Sequence, residues 1–442
     1  MSQPRFQDHR QHIIDIYEAA LGAVDPYDSV RQALVRAAER PGTGTPQSGG
    51  RLWLVAAGKA AIPMARAAAD QLGDRLHQGI IVTKSSATVP ADLAERYPEL
   101  ALHLAAHPVS DASSVAATEA VAAMLQGTSA DDVVLCLISG GCSALLTRPL
   151  LTLPAWQQLN RALLASGCSI HSFNRIRQHL DEVKGGGLLR WAAPAAVRTL
   201  ILSDVIGDDL SIIGSGPTVP PAATPAEADA LLRQYDIYAQ LAPATADRIQ
   251  ALLTSAPVDS PFPPYDNELV ANLTLAAQAA RERASQLGFT ARFLTGRLDG
   301  DADQLGRFAA ALAVDAPANE ALILGGEATV QVRGQGRGGR NQELALAAAP
   351  LLDGGPPLAL AALATDGEDR ITGVAGAIAT HLTANQAATI GLDITATLAD
   401  NDSYAFWQAL NASGEPLAGG LVERDPTGTN VNDLLIILRY EN

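Results

Sequence analysis

A chain of 442 residues is long enough for two or three domains, each with a core of its own. Its residues are 48% hydrophobic and only 18% charged, which excludes a disordered or fibrous chain and fits a compact enzyme. The formal net charge of −16 argues against nucleic acid and anionic membranes as partners, so any anionic substrate must be held by local basic clusters.

Residues 8–40 carry the pattern of two amphipathic helices split at Asp25-Pro26, and 41–50 reads as a loop. Leu52–Ala57 is a continuous apolar strand, followed by Gly58-Lys59 and a helix over 60–72. Further strands are expected at 79–83, 101–106, 133–138 and 198–202, with helices at 111–126, 154–166 and 171–182. Apolar strands alternating with helices predict a parallel sheet covered on both faces. Proline clusters follow at 217–225 and 257–264, and the second is the better domain boundary. Beyond it, 268–287 and 344–352 read as helices and 321–325, 328–332, 358–364 and 434–440 as strands of a smaller mixed α/β domain. The expected division is 1–260 and 265–442. The N-terminus lacks a signal-peptide pattern and no apolar run reaches the length of a membrane span, so a cytoplasmic location is expected. Cys136, Cys142 and Cys168 form no C-x-x-C and read as plain thiols.

Several strand ends carry chemistry. Ser139-Gly140-Gly141-Cys142-Ser143 follows a strand and leads into apolar residues, a pattern for an anion cradle at a helix N-terminus; an ordinary turn is the competing reading. Lysine is scarce: Lys59, Lys84 and Lys184 are the only three, and Lys59 leaves the most apolar surroundings. Lys184 stands in a glycine-rich turn, where a helix C-cap is the plain alternative. Asp204 and Asp208, around Gly207, could hold Mg²⁺ through one or two oxygens, or could simply cap turns. Gly214–Thr218 is another slim loop of donors. In the C-terminal half, Glu327, Asp366, Asp369, Asn430 and Asp433 sit in loops around strand ends.

Arg333–Glu343 is ambiguous. Gly334, Gly336 and Gly339 fit G-x-G-x-x-G after a strand and before a helix, the dinucleotide-binding spacing, and so raise a nicotinamide-dependent reductase. Yet Asp366 falls 27 residues after Gly339, and three arginines, 333, 337 and 340, exceed what a diphosphate on backbone amides needs. Fork-shaped cations suit a transferring phosphoryl group better. Walker and protein-kinase signatures are absent.

Taken together, AAGKAA (56–61), HPVSD (107–111), SGGCSALL (139–146), VKGGGLL (183–189), SDVIGDDLSIIGSGPT (203–218), GGEATVQVRGQGRGGRNQELAL (325–346), NDSYAFW (401–407) and PTGTNVND (426–433) carry a resemblance over nearly the whole chain. The chain resembles the glycerate 2-kinases, the class II glycerate kinase family with a C-terminal MOFRL domain. The resemblance implies a Rossmann-like doubly wound domain, a smaller MOFRL-type α/β domain and a site in the cleft between them. It implies ATP and Mg²⁺ as cofactors and transfer of the γ-phosphoryl of ATP to the 2-hydroxyl of D-glycerate. It also implies catalytic roles for Lys59, Arg340 and Asp204, and metal coordination by Asp204 and Asp208. Ser139, Gly140, Gly141, Ser143, Lys184 and Gly216 would contact phosphate or nucleotide, with Glu327, Asn341 and Asp366 as substrate or supporting residues. Removing Lys59 or Arg340 is expected to cost orders of magnitude in turnover with the fold intact. The chain departs from the family pattern at Asp181, Gly187, Pro221, Arg370 and Gly373, which leaves a related hydroxy acid as an alternative acceptor. An NAD(P)H-dependent hydroxypyruvate reductase is the alternative activity, and a homodimer is an open expectation.

Overall fold

The computed structural model describes residues 3–39, 49–255 and 262–441. Most of the expected loop at 41–50 and of the proline cluster at 257–264 lies outside them. The chain divides into two units, one of residues 26–270 and one of residues 1–25 with 271–442.

The first unit is built on a six-stranded sheet in the order β3-β2-β1-β4-β5-β6. Its strands are β1 (Leu52–Ala57), β2 (Leu76–Lys84), β3 (Leu100–Ala105), β4 (Val133–Ile138), β5 (Ala196–Leu202) and β6 (Tyr265–Ala271). Strands β1 to β5 pair in parallel. Every residue of β1 and β4 is buried, as continuous apolar strands between two helical layers require. The 3-2-1-4-5 order reverses between β1 and β4. In open α/β sheets the crevice outside the strands' carboxyl ends at such a switch point is where ligands bind. Here those ends are Gly58-Lys59 and Ser139–Gly141. A satellite helical cluster, centred on Trp156, Phe173 and Ile249, covers one side of this unit.

The second unit has its own six-stranded sheet, in the order β11-β10-β9-β12-β8-β7. Its strands are β7 (Thr290–Asp301), β8 (Glu320–Thr329), β9 (Leu358–Ala364), β10 (Val374–Thr380), β11 (Gly419–Glu423) and β12 (Asp433–Arg439). Only β7 and β8 are parallel; the other pairs are antiparallel. The helices Ala302–Asp315 and Arg340–Leu352 pack through alanines, and a methyl group on Gly306 would lie 2.3 Å from the Leu344 carbonyl oxygen. Small side chains here let two helix backbones come close.

The first helix, His9–Ala23, belongs to this second unit although it opens the chain. Tyr17 donates to the Ala364 carbonyl at 2.6 Å and Thr429 to that of Val24 at 3.0 Å. Arg283 pairs with Asp15 at 2.5 Å. The segment 268–287, expected as one helix, is the end of β6 followed by the helix Leu273–Gln286, capped by Asn272. The expected helix 171–182 ends at Arg177, and the expected strand 328–332 is only the tail of β8. Among the described residues no helix is long and apolar enough to cross a membrane.

Candidate active site

At the end of β4 the chain turns through Gly140 and the left-handed Gly141 (φ 84°) into one helical turn, Cys142–Leu145. The N–H groups of Gly140, Gly141 and Ser143 have no acceptor among the described residues. The expected helix N-terminus is therefore corrected: four residues carry little dipole, and the loop's own amides form the anion nest. Both glycines are dictated by space. A methyl on Gly140 would lie 1.9 Å from Oδ2 of Asp204, and one on Gly141 would lie 3.1 Å from Nε2 of His107 and 3.2 Å from Cγ of Lys59. Ser139 accepts the Ala60 N–H at 3.1 Å and so fastens the β1 loop to the β4 loop.

Lys59, half-buried, makes no hydrogen bond or ion pair through its side chain among the described residues, which frees its charge for a ligand. Burial pushes the Asp204 carboxyl above its ordinary pKa, and the charge of Lys59 draws it back part of the way. Asp208 adopts a left-handed conformation (φ 57°) in the turn after Gly207. Among the described residues no group of three or more His, Cys, Asp or Glu is placed to hold a metal. Any cation here would rest on one or two carboxylates and the ligand's own oxygens, the usual manner of Mg²⁺.

Two expected phosphate contacts sit elsewhere. Lys184 is fully buried; its Nζ donates to the carbonyls of Ser143 at 2.9 Å and Leu146 at 3.1 Å and pairs with Asp181 at 3.5 Å. Burial lowers its pKa to about 8 against the pull of Asp181. Lys184 supports the nest from beneath instead of touching solvent. Arg177, also buried, joins it by donating to the Ser143 carbonyl at 3.2 Å. The Gly216 N–H donates to Ile213 and its carbonyl accepts from Gly186, so this loop braces the Lys184–Gly187 turn. A side chain on Gly187 would begin 2.1 Å from the Glu182 carbonyl oxygen, which accounts for glycine at that departure from the family pattern.

In the second unit, Arg340 opens its helix at the end of the G-x-G-x-x-G loop. It makes a two-pronged pair with Asp433, at 2.6 and 2.9 Å, and reaches Glu327 at 3.5 Å. Burial works against its charge, but Asp433, Glu327 and Asp369 hold its pKa above the ordinary value. Asn341 is buried and donates to Asp369 and Asp433. Asp366 accepts the Glu368 N–H at 3.0 Å in its own turn. The structure thus gathers Glu327, Arg340, Asn341 and Asp433 at adjoining ends of β8 and β12, and leaves Asp366 on the neighbouring turn after β9.

The glycine-rich loop itself is already filled over its first five residues. The N–H groups of Arg333 and Gly334 donate to Oδ1 of Asn401, Gln335 and Gly336 to Asp400, and Arg337 to Asp402. Asp369 then accepts the N–H groups of Asn341 and Gln342, at 3.1 and 2.8 Å, and caps the helix. The amides of residues 333–337 are thus held by the chain's own oxygens. Those of Gly338, Gly339 and Arg340 have no acceptor among the described residues, but a methyl on Gly338 or Gly339 would lie 2.0 or 2.2 Å from atoms of Ser403 or Asp369, so the space beside them is occupied.

A 3-2-1-4-5 parallel sheet with a bare amide nest and an unpaired lysine at its switch point defines a phosphate-handling α/β enzyme. Comparison with known proteins narrows this. Residues 12–250 match the model "Domain of unknown function (DUF4147)" and residues 320–433 the MOFRL family. The chain is 38% identical to the D-glycerate 2-kinase of Thermotoga maritima over 434 residues, covering 96% of each. It is 37% identical to a protein of Agrobacterium vitis provisionally named a hydroxypyruvate reductase, over 97% of this chain and 94% of that one. The crystal structure of a Thermotoga maritima glycerate kinase superposes with a TM-score of 0.85 at 36% identity, over 98% of this chain and 100% of that one. The chain belongs to the glycerate 2-kinase family with a C-terminal MOFRL domain.

Two further residues have no assigned role from sequence: His107, which stands beside Gly141 of the nest, and Lys84, whose charge acts on His107. The signal was present in the scarcity of lysine and in the HPVSD stretch.

Proposed function

We propose that the protein is an ATP-dependent glycerate 2-kinase, which transfers the γ-phosphoryl of ATP to the 2-hydroxyl of D-glycerate and yields 2-phosphoglycerate and ADP. The observation that carries this reading is the nest: the bare N–H groups of Gly140, Gly141 and Ser143 beside the unpaired ammonium of Lys59. Donors fixed before the ligand arrives stabilise charge on a transferring phosphoryl without reorganising. Lys184 and Arg177 hold the nest in shape through the Ser143 carbonyl. Asp204, pressed against Gly140, fits a Mg²⁺ held mainly by nucleotide phosphates, and Asp208 is a second candidate ligand. Bound there, the ion would neutralise phosphate charge. Arg340 is proposed as an anion contact of the second unit through its remaining Nη1 side, since Asp433 already holds Nε and Nη2.

The name of the Agrobacterium vitis relative favours a hydroxypyruvate reductase as second reading. Against it stand the amides of 333–337, already spent on residues 400–402, and the close packing of Ser403 and Asp369 on Gly338 and Gly339. One experiment separates the two. Purified protein is incubated with D-glycerate, ATP and Mg²⁺, and in parallel with hydroxypyruvate and NADH. ADP and 2-phosphoglycerate support the kinase; oxidation of NADH with no ADP formed overturns it.

A further inference from the structure

The carboxyl ends of β3, β2 and β1 lie side by side in the sheet. They carry His107, Lys84 and Lys59 respectively, and His107 and Lys59 both border the space above Gly141. Of the three lysines in the chain, Lys184 is buried and paired, whereas Lys59 and Lys84 make no side-chain hydrogen bond or ion pair among the described residues. Both act by charge on His107, whose ring nitrogens have no hydrogen-bond partner there either. Burial first, then the charges of Lys59 and Lys84, hold the imidazole below its ordinary pKa, so it is uncharged near neutral pH. The acids around it are engaged elsewhere. Asp111, four residues on, caps the helix Ala112–Leu125 through Ser113, and Asp204 stands against Gly140.

Two spare cations and a neutral base on one rim are more than a phosphate in the nest requires. A short 2-hydroxy acid presents a carboxylate one carbon from a hydroxyl, and this rim offers a partner for each. We propose that Lys84 and His107 form the acceptor subsite: Lys84 holds the carboxylate, and Nε2 of His107 takes the hydroxyl proton. This rests on the kinase reading above. In the step, the hydroxyl oxygen forms the new bond to the γ-phosphorus. The bond from that phosphorus to the bridging oxygen breaks, and its electron pair leaves on ADP. The proton stays on the imidazole and is then lost to water. Lys59 and the nest hold the phosphoryl oxygens meanwhile.

The test uses the full-length enzyme, with D-glycerate binding followed by calorimetry and phosphorylation by ADP release. His107→Gln should lower kcat by about 10²- to 10³-fold and abolish the fall of kcat/KM on the acidic side of neutrality, with KM for ATP within about twofold. Lys84→Met should weaken D-glycerate binding and raise its KM at least about tenfold while leaving KM for ATP in place, and Lys84→Arg should restore much of the loss. Thermal melts of all three should match the wild type. The subsite is overturned if His107→Gln keeps both kcat and the acidic limb, or if Lys84→Met moves KM for ATP instead of glycerate. Wild-type protein that binds D-glycerate through Lys84 without phosphorylating it would leave the carboxylate contact standing and overturn the kinase reading alone.

Discussion

Two glycine-rich loops in this chain, Ser139–Ser143 and Arg333–Arg340, each run from a strand into a helix, and their glycines serve opposite ends. In the first, glycine brings ligand-facing groups together: Asp204 against Gly140, Lys59 and His107 around Gly141, with three N–H groups left bare. In the second, glycine lets another segment of the same unit move in. Methyl groups on Gly334 and Gly336 would lie 2.2 and 2.4 Å from Asp400 and Asp402 atoms, and the amides of 333–337 are spent on 400–402. Spacing alone describes the second loop better as a ligand site, and it is the one with no room. What separates binding from bracing is the room a loop keeps above its donors, together with how many of those donors already have acceptors.

That contrast can be broken by substitution. Lys59→Ala removes a cation with no structural bond, so turnover should fall about 10³-fold with the melting temperature unmoved. Near-normal turnover would remove Lys59 from the chemistry. Arg340→Ala should behave differently, because it removes the charged partner of Asp433, whose side chain is only 8% exposed, and leaves it the Asn341 amide. The expectation of an intact fold is revised here: a loss of about 3 kcal/mol in denaturant unfolding should accompany any loss of activity. Arg340→Lys should recover only part of that stability, since one ammonium cannot make both bonds to Asp433.

The glycines sharpen the comparison further. Gly336→Ala drives a methyl into backbone atoms and should cost about 2 kcal/mol of stability. Gly141→Ala meets movable side-chain atoms at 3.1 Å and should cost about 1 kcal/mol for its left-handed backbone, while lowering kcat at least about tenfold. Equal stability losses with no difference in kcat would erase the distinction between the loops. The smallest effect is an expected silence: NADH at about 1 mM should leave the melting temperature unchanged, whereas ATP with Mg²⁺ should raise it. A rise with NADH would return the filled loop to contention.

Strands β1, β2, β4 and β5 were legible because buried parallel strands are continuous apolar runs. The half-exposed β7, with arginines and aspartates along it, the small-residue β10 and the five-residue β11 carry no such pattern. Residues 268–271 were absorbed into a helix because a short apolar run does not distinguish strand from helix by period. Lys59, Ser139–Ser143 and Asp204 could be found because they stand at strand ends. The burial of Lys184 could not, since its partners, Ser143 and Leu146, lie about 40 residues back. Nor could the filling of the glycine loop, which depends on acceptors about 65 residues downstream.

The placement of His9–Ala23 has a consequence for biosynthesis. This helix leaves the ribosome before the whole of residues 26–270, yet its packing partners, Ala364, Arg283 and Thr429, are made last. The first unit is thus an insertion in the second and has its complete sequence while the second is still in pieces. Ribosome-bound chains should show a protected first unit early and an unprotected opening helix until synthesis nears its end. A fragment of 271–442 alone should expose the apolar face that this helix covers, and a peptide of residues 3–25 added in trans should restore it.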